Sequence, residues 1–202
     1  MYRLSVSIIA LFLWFNTFGQ EAWKHWDPAV IAIANTAADS DYLTDEEKNV
    51  ILISNLARYD GKLFAESFLK EFLLDQKPTS YTRSLYRDLK KVKGLTMFHP
   101  EKDLYSIALS HAKISGKKGT TGHQRFKKRF EPVMRKYNMV AENCAYGYED
   151  AVKIVLELLI DEGISGLGHR KNILNPAFNS IGVSIQDHKN YGSNCVMDFG
   201  KK

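Results

Sequence analysis

The segments Glu142-Asn143-Cys144-Ala145-Tyr146-Gly147 and Gly168-His169-Arg170-Lys171-Asn172-Ile173-Leu174 decide how this chain is interpreted. Each places ionisable and amide side chains next to glycine and apolar residues. Polar groups of this kind are retained in a folded protein where they are hydrogen-bonded or where they line a functional surface. We therefore expect the two segments to form the walls of one polar cleft that carries the function of the protein.

Most common catalytic signatures are missing from the sequence, which contains no His-Glu-x-x-His, no glycine-rich phosphate loop and no Cys-x-x-Cys. The stretch Gly163-Ile164-Ser165-Gly166 falls short of the Gly-x-Ser-x-Gly turn of serine hydrolases. Cys144 would act as a nucleophile only beside an activating histidine, which the sequence alone does not reveal. A further polar position is His123, at the end of a loop that contains glycine and threonine.

Several short motifs in a fixed order give the chain a family resemblance. They are Asn55-Leu56-Ala57-Arg58, His111-Ala112, Gly122-His123, the segments 142–147 and 168–174, and Ile181-Gly182-Val183. In this order they resemble the CAP superfamily, also called SCP, which includes cysteine-rich secretory proteins, antigen 5 and pathogenesis-related proteins. The form Gly-His-Arg-x-Asn-Ile-Leu is similar to the bacterial branch. The resemblance extends from about residue 44 to residue 200.

The resemblance implies an α+β fold, a three-layer α-β-α sandwich with a mainly antiparallel central sheet. It also implies a cleft lined by His123, Glu142, Asp161 and His169, which in several family members surrounds a divalent metal; His123 and His169 would be its ligands here. Imidazoles with carboxylates nearby suit zinc, and zinc lowers the pKa of a bound water. The alternative for His123 is a loop histidine that binds nothing. The alternative for His169 is a structural hydrogen bond between elements.

Asp161 is the least secure member of this set. In relatives with a complete site, the second acid lies three residues after a tryptophan. Leu158 occupies that tryptophan position here, so the match falls on Asp161, with Glu162 as the neighbouring alternative.

Two further polar residues receive structural assignments. His111 shares a helix face with Leu104 and Ile107, so we assign it to packing. Arg170 is expected to hold a carboxylate or carbonyl group, because its planar fork suits fixed bidentate bonding.

The resemblance does not determine the reaction, since one fold supports many functions. The first hypothesis is a binding module whose cleft holds a lipid, a glycan or a peptide, with no nucleic-acid partner. The alternative is a metal-dependent hydrolase, protease or esterase-like, in which Glu142 and His169 are the catalytic residues. An inert interaction scaffold is a third possibility, and the sequence leaves open whether the protein is an enzyme.

Hydrophobic patterns and capping residues predict the main elements. Thr44 and Glu47 form a capping box at the start of one helix, and Asp150 caps a strongly apolar helix. Alternating apolar residues after Ser180 and Asn194 predict a C-terminal β-hairpin. The range 126–137 is predicted as a basic helix with three inward residues, namely Phe130, Met134 and Tyr137.

The first 19 residues have the pattern of a signal peptide. Arg3 precedes an apolar run from Leu4 to Phe15, and small residues follow. A run of about 12 residues is shorter than the roughly 20 that span a bilayer. We therefore expect a secreted protein, extracellular or periplasmic, without a membrane span after cleavage. Residues 20–43 are an N-terminal extension with a short helix at 28–36, and residues 44–202 are the CAP domain.

Composition and charge leave two alternatives each for the cysteines and for a basic stretch. With 45% hydrophobic and 25% charged residues, the chain is an ordinary globular protein. Cys144 and Cys195 are either bonded to each other, which export permits, or two buried thiols. Eight cations lie within residues 117–136, and they form either a solvated helix face, which we favour, or a surface for an anionic partner.

Overall fold

The computed structural model describes residues 20–202, so the interpretation of residues 1–19 as a signal peptide lies outside the described residues. Within 20–202, no helix is both long enough and apolar enough to cross a membrane.

The helices are listed here in chain order. They are α1 (Gln20–Trp23), α2 (Pro28–Ala34), α3 (Asp45–Tyr59), α4 (Gly61–Phe64), α5 (Lys70–Phe72), α6 (Ser80–Leu89), α7 (Lys102–Lys118), α8 (Phe126–Phe130), α9 (Ala151–Ile160) and α10 (Gly168–Ile173). A π-helical turn, Ala65–Leu69, joins α4 to α5, and a 3-10 turn, Glu131–Val133, follows α8.

The strands are β1 (His99–Pro100), β2 (Met139–Tyr146), β3 (Ser180–His188) and β4 (Gly192–Lys201). They form one sheet in the order β1-β3-β4-β2, in which β3 and β2 both run antiparallel to β4. The two-residue β1 pairs with β3 in parallel, so the sheet is mixed but mainly antiparallel, as predicted. The C-terminal hairpin of β3 and β4 is confirmed.

Helices cover both faces of the sheet and give the three layers that were predicted. On one face, α7 packs against β3 and β4. On the other face, α3 packs against β3 and α9, and the largest hydrophobic core lies there. The predicted caps of α3 and α9 are present: Thr44 and Glu47 form a reciprocal capping box, and Asp150 accepts from the amide of Lys153.

A single glycine permits the close contact between α7 and the sheet. A Cβ atom at Gly182 would lie 2.1 Å from the amide nitrogen of Tyr105 and 2.2 Å from the carbonyl carbon of Leu104. Backbone atoms cannot yield to such a contact as a flexible side chain can. The glycine of the Ile181-Gly182-Val183 motif is therefore required for the close packing of α7 on β3.

Arg58 is a fully buried cation at the end of α3. Its guanidinium lies 4.0 Å from the centre of the Phe98 ring and donates to four carbonyl oxygens. The acceptors are those of Thr96, Ile173, Asn175 and Phe178. Burial lowers the pKa of Arg58 to about 10, still well above neutrality. This residue of the first motif therefore joins three separate stretches of chain.

The N-terminal residues pack on the rest of the chain. The helix predicted at 28–36 is α2, and Trp26 just before it is buried, with its indole N–H donating to Ser67 Oγ. The amide of Asn55 donates to the carbonyl of Ala34 at the end of α2. Asn55 thus fastens this segment to α3.

The prediction of one helix over 126–137 is wrong. The α-helix ends at Phe130, and a 3-10 turn takes over because Pro132 has no amide hydrogen for a helical bond. Phe130 and Tyr137 are buried as predicted, but Met134 is 49% exposed. The strand β2 was not predicted.

Candidate functional site

The strand β2 forms the edge of the sheet and carries the first deciding segment. Successive side chains of a strand point to opposite faces, so Glu142 and Asn143 diverge. Asn143 donates to the carbonyl of His169, and its own side-chain oxygen accepts from Asn172. Glu142 points to the other face, towards His123. One Glu-Asn pair therefore holds the two walls of the cleft together.

Glu142 is a buried carboxylate that two side chains hold through three hydrogen bonds. Oε1 lies 2.8 Å from His123 Nδ1, and Arg129 donates to both oxygens, Nη1 to Oε2 at 2.5 Å and Nη2 to Oε1 at 2.8 Å. Burial alone would raise the pKa of Glu142. The hydrogen bonds from His123 and Arg129 and the charge of Arg129 outweigh burial and lower the pKa to about 2. Glu142 is therefore ionised at neutral pH.

Asp198 lies opposite Glu142 in the register of β2 with β4. It is fully buried, and neither of its oxygens has a hydrogen-bond partner among residues 20–202. Burial and the charge of Glu142 raise the pKa of Asp198 well above its ordinary value. An unpaired buried carboxylate takes up a proton. The raised pKa favours the protonated form of Asp198 beside the ionised Glu142.

The loop that carries His123 is held at Gly122. The amide of Gly122 donates to Tyr146 Oη at 2.7 Å, and its carbonyl oxygen lies 2.9 Å from His111 Nε2. A carbonyl only accepts, so Nε2 of His111 carries the proton of this bond. Burial lowers the pKa of His111 and favours the neutral ring. Two side chains thus fix the backbone next to His123.

His111 is buried, as its assignment to packing predicted. It also belongs to the site, because Nε2 lies 3.9 Å from Glu142 Oε1. The heptad-like spacing on α7 identified the inward face but gave no sign of the partner on β2.

Asp161 orients His169 on the opposite wall. Oδ1 lies 2.8 Å from His169 Nδ1, and Oδ2 accepts from the backbone amides of His169 and Arg170. The carboxylate follows α9 directly, where Asp161 has a left-handed backbone (φ 56°). Asp161 is buried and Glu162 is exposed, so of the two candidate acids the structure brings Asp161 to His169.

The two imidazoles face one another across the cleft. Their ring centroids are 6.3 Å apart, and the side chains of His123 and His169 are 46% and 20% exposed. Each Nδ1 contacts a buried carboxylate oxygen, and neither Nε2 has a hydrogen-bond partner in the described part of the chain. A carboxylate that accepts from one ring nitrogen leaves the other nitrogen as a metal ligand, a common arrangement in metalloproteins. These residues therefore fit a divalent metal.

A second cluster has the composition of a metal site but is not assigned as one. Ligand atoms of His111, Glu142 and Cys144 lie within 4.8 Å of one another. Arg129 already pairs with Glu142 in a bidentate contact, and its positive charge opposes a cation there. Burial, followed by the charge of Glu142, raises the pKa of the Cys144 thiol, so the thiolate that metals prefer is disfavoured.

The disulfide alternative is wrong, because Cys144 and Cys195 are both free and buried. Cys195 is paired in register with Ala145, the neighbour of Cys144, so the two thiols point to opposite faces of the sheet. Cys144 packs beneath α7, whereas Cys195 lies in the main core.

The structural role predicted for Arg170 is confirmed. Its side chain is buried, and the guanidinium donates to carbonyl, hydroxyl and carboxylate oxygens of α6 and α9. The acceptors are Tyr81 O, Ser84 Oγ, Asp88 Oδ2, Leu159 O and Ile160 O. Arg170 thus fixes the start of α10, and with it the backbone of His169.

The family model described as "CAP: Cysteine-rich secretory protein family" matches residues 57–199, which include both walls of this cleft. The chain belongs to the CAP family. Among curated proteins, none matches the chain.

Three solved structures are similar at low identity. An extracellular protein containing an SCP domain from Bacillus anthracis is 19% identical, with a TM-score of 0.48, covering 81% of this chain and 45% of its own. The outer surface protein from Borrelia burgdorferi is 19% identical, with a TM-score of 0.46, and the match covers 68% of this chain and 95% of that protein. Venom allergen-like protein 4 from Schistosoma mansoni is 16% identical, with a TM-score of 0.49, and the match covers 79% of this chain and 90% of that protein. This chain therefore spans less than half of the Bacillus protein.

Besides His111, two residues of the site were not predicted to belong to it, Arg129 and Asp198. Arg129 was counted with the cations of a solvated helix, and Asp198 lies in the alternating pattern of β4. The only signal for Asp198 in the sequence was its position between Met197 and Phe199. Because side chains alternate along a strand, Asp198 lies on the face of the sheet opposite these two core residues.

Proposed function

We propose that this CAP-domain protein is exported and acts as a binding module whose cleft takes up a divalent metal such as zinc at His123 and His169. The carrying observation is that buried Glu142 and Asp161 each contact an Nδ1, so that both Nε2 atoms remain available. The signal-peptide pattern of residues 1–19 supports export.

The metal would supply a Lewis-acid centre that binds an oxygen atom of a ligand. The chain itself contributes the orientation of both imidazoles. Asp161 and Glu142 favour the tautomer in which Nδ1 carries the proton, which makes Nε2 the metal-binding nitrogen. The ligand that completes the site is proposed to be a lipid, a glycan or a peptide.

Hydrolysis with Glu142 as general base is the less favoured alternative. An effective general base has a pKa near the working pH, whereas the pKa of Glu142 is lowered to about 2. Both of its oxygens also accept from Arg129. Glu142 is therefore better suited to positioning His123 than to taking a proton from water.

Zinc titration of the mature protein tests the metal proposal. We expect saturable binding to wild type, and a loss of at least about tenfold in affinity in the double variant His123→Ala/His169→Ala. The control is His25→Ala/His99→Ala, which removes two exposed histidines elsewhere and leaves binding unchanged. Equal zinc affinity of wild type and the cleft variant would refute the site.

Two further measurements separate binding from catalysis. In a screen of peptide and ester substrates, we expect no metal-dependent turnover by wild type. Turnover that disappears in Glu142→Gln would instead establish the hydrolase. Solvent extraction of the purified protein followed by mass spectrometry identifies any lipid that accompanies it.

A further inference from the structure

A separate cavity of about 450 Å³ lies between the end of α7 and α8. This volume falls within the range of roughly 300–1,000 Å³ of small-molecule sites. Four cations line it, namely Lys118, Arg125, Lys128 and Arg129, and none of the residues that line it is acidic. The cavity adjoins the cleft only through Arg129 and the buried His111.

Three of these cations lack a counter-ion. Lys118, Arg125 and Lys128 form no ion pair with any of residues 20–202. Lys136, in the same basic stretch, pairs with Glu101 and Asp103 and contributes no free charge. Six of the eight cations in residues 117–136 form no ion pair within residues 20–202, and three of these six line the cavity.

The backbone at the start of α8 contributes to this arrangement. The chain enters α8 through Arg125, whose left-handed backbone (φ 55°) is costly for a residue with a side chain. This conformation places Arg125 at the cavity with Lys128 one turn further on.

The remaining lining fits a small ligand with one charged group. Thr120 supplies a hydroxyl that can donate a hydrogen bond, while Ile114, which is 52% exposed, forms an apolar wall. Guanidinium forks and ammonium groups with hydroxyl donors are the groups that recognise tetrahedral oxyanions. Convergent cations without a carboxylate exclude a cationic ligand.

We propose that this cavity binds the phosphate or sulfate group of a small ligand, such as a phosphorylated or sulfated headgroup. The proposal does not depend on metal at His123 and His169, and its test contains no metal.

Calorimetric titration with inorganic phosphate, sulfate and glucose 6-phosphate at low ionic strength tests the proposal. We expect saturable binding that weakens by about tenfold or more in Lys118→Ala/Lys128→Ala. The matched control is Lys117→Ala/Lys127→Ala, which removes the same charge from the same two helices at residues that do not line the cavity. The control variant is expected to bind within about twofold of wild type.

Two results would overturn the proposal. Equal losses in the two double variants would mean that only net charge attracts the anion. Failure of all three anions to bind wild type would exclude the site, whatever the outcome of the zinc titration.

A vesicle experiment distinguishes the source of the anionic group. Cosedimentation with phosphatidylglycerol but not phosphatidylcholine vesicles, lost only in Lys118→Ala/Lys128→Ala, assigns a lipid headgroup. Binding of glucose 6-phosphate without cosedimentation assigns a soluble ligand.

Discussion

Glu142 and Asp198 lie directly opposite each other on β2 and β4, and their pKa values are shifted in opposite directions, downward for Glu142 and upward for Asp198. Arg129 and His123 stabilise the ionised form of Glu142, so the single negative charge of the pair stays on the side that faces the cleft. Asp198 has no hydrogen-bond partner among residues 20–202, and its raised pKa favours the protonated form. The negative charge of the pair is therefore concentrated on Glu142.

The protonation of Asp198 predicts an unusual pH dependence of stability. Above pH 3.8, the ordinary pKa of the group, the unfolded chain releases a proton that the folded protein keeps, so this contribution to stability declines as pH rises towards the raised folded pKa. Asp198→Asn is neutral in both states and escapes the decline. Its stability relative to wild type is expected to grow by up to about 1.4 kcal/mol per pH unit.

Urea unfolding of wild type and Asp198→Asn at several pH values between 4 and 8 measures this difference. Asp187→Asn, an exposed aspartate on β3, is the control and is expected to show no such trend. A difference for Asp198→Asn that stays constant with pH would show that Asp198 is ionised in the folded protein.

Replacement of Arg129 is predicted to destabilise the protein by about 3–5 kcal/mol, because it leaves Glu142 buried without its cation. The variant Arg129→Gln keeps a hydrogen-bond donor but not the charge. Lys127→Gln, on the same short helix and exposed, is expected to change stability by less than about 0.5 kcal/mol. Thermal melts of both variants check the prediction, and similar melting temperatures would contradict it.

Asp161→Asn is predicted to weaken zinc binding by about 10–100-fold, the usual cost of losing the partner of a metal-binding histidine. Asparagine tolerates the left-handed backbone at this position, so the fold is expected to survive. The amide no longer imposes one tautomer on His169. Zinc titration with Glu162→Gln as the exposed control gives the comparison, and unchanged affinity of Asp161→Asn would separate Asp161 from metal binding.

Gly182→Ala is predicted to cost at least about 1–3 kcal/mol, because the added methyl group meets the backbone of Leu104 and Tyr105. Gly168→Ala is the matched control. A Cβ there has no neighbour within 4 Å, and alanine favours the helix by up to about 1 kcal/mol. In denaturant titrations, the unfolding midpoint is therefore expected to fall for Gly182→Ala and to rise for Gly168→Ala.

Much of the fold was predictable because local signals agree with it. Thr44 and Asp150 cap helices with their own side chains, and the alternating apolar residues of β3 and β4 lie in the main core. The strand β2 was missed because Glu142 and Asn143 interrupt its apolar pattern for the sake of the site. Met134 was misplaced because one proline, Pro132, ends the helical period.

The candidate site was predictable only where a motif marks it. His123, Glu142 and His169 stand in motifs, and the structure brings them together with Asp161. Arg129 and Asp198 acquire their roles from their positions beside Glu142. Arg129 is 13 residues away in the chain, and Asp198 lies on the neighbouring strand. Their chemistry depends on tertiary burial, which periodicity does not encode.

The carbonyl acceptors of Arg58 lie up to 120 residues away in the chain. This guanidinium performs the loop closure for which many exported domains use a cross-link, while both cysteines of the chain stay reduced in the interior. The fold of residues 20–202 therefore closes this long loop without forming a disulfide bond.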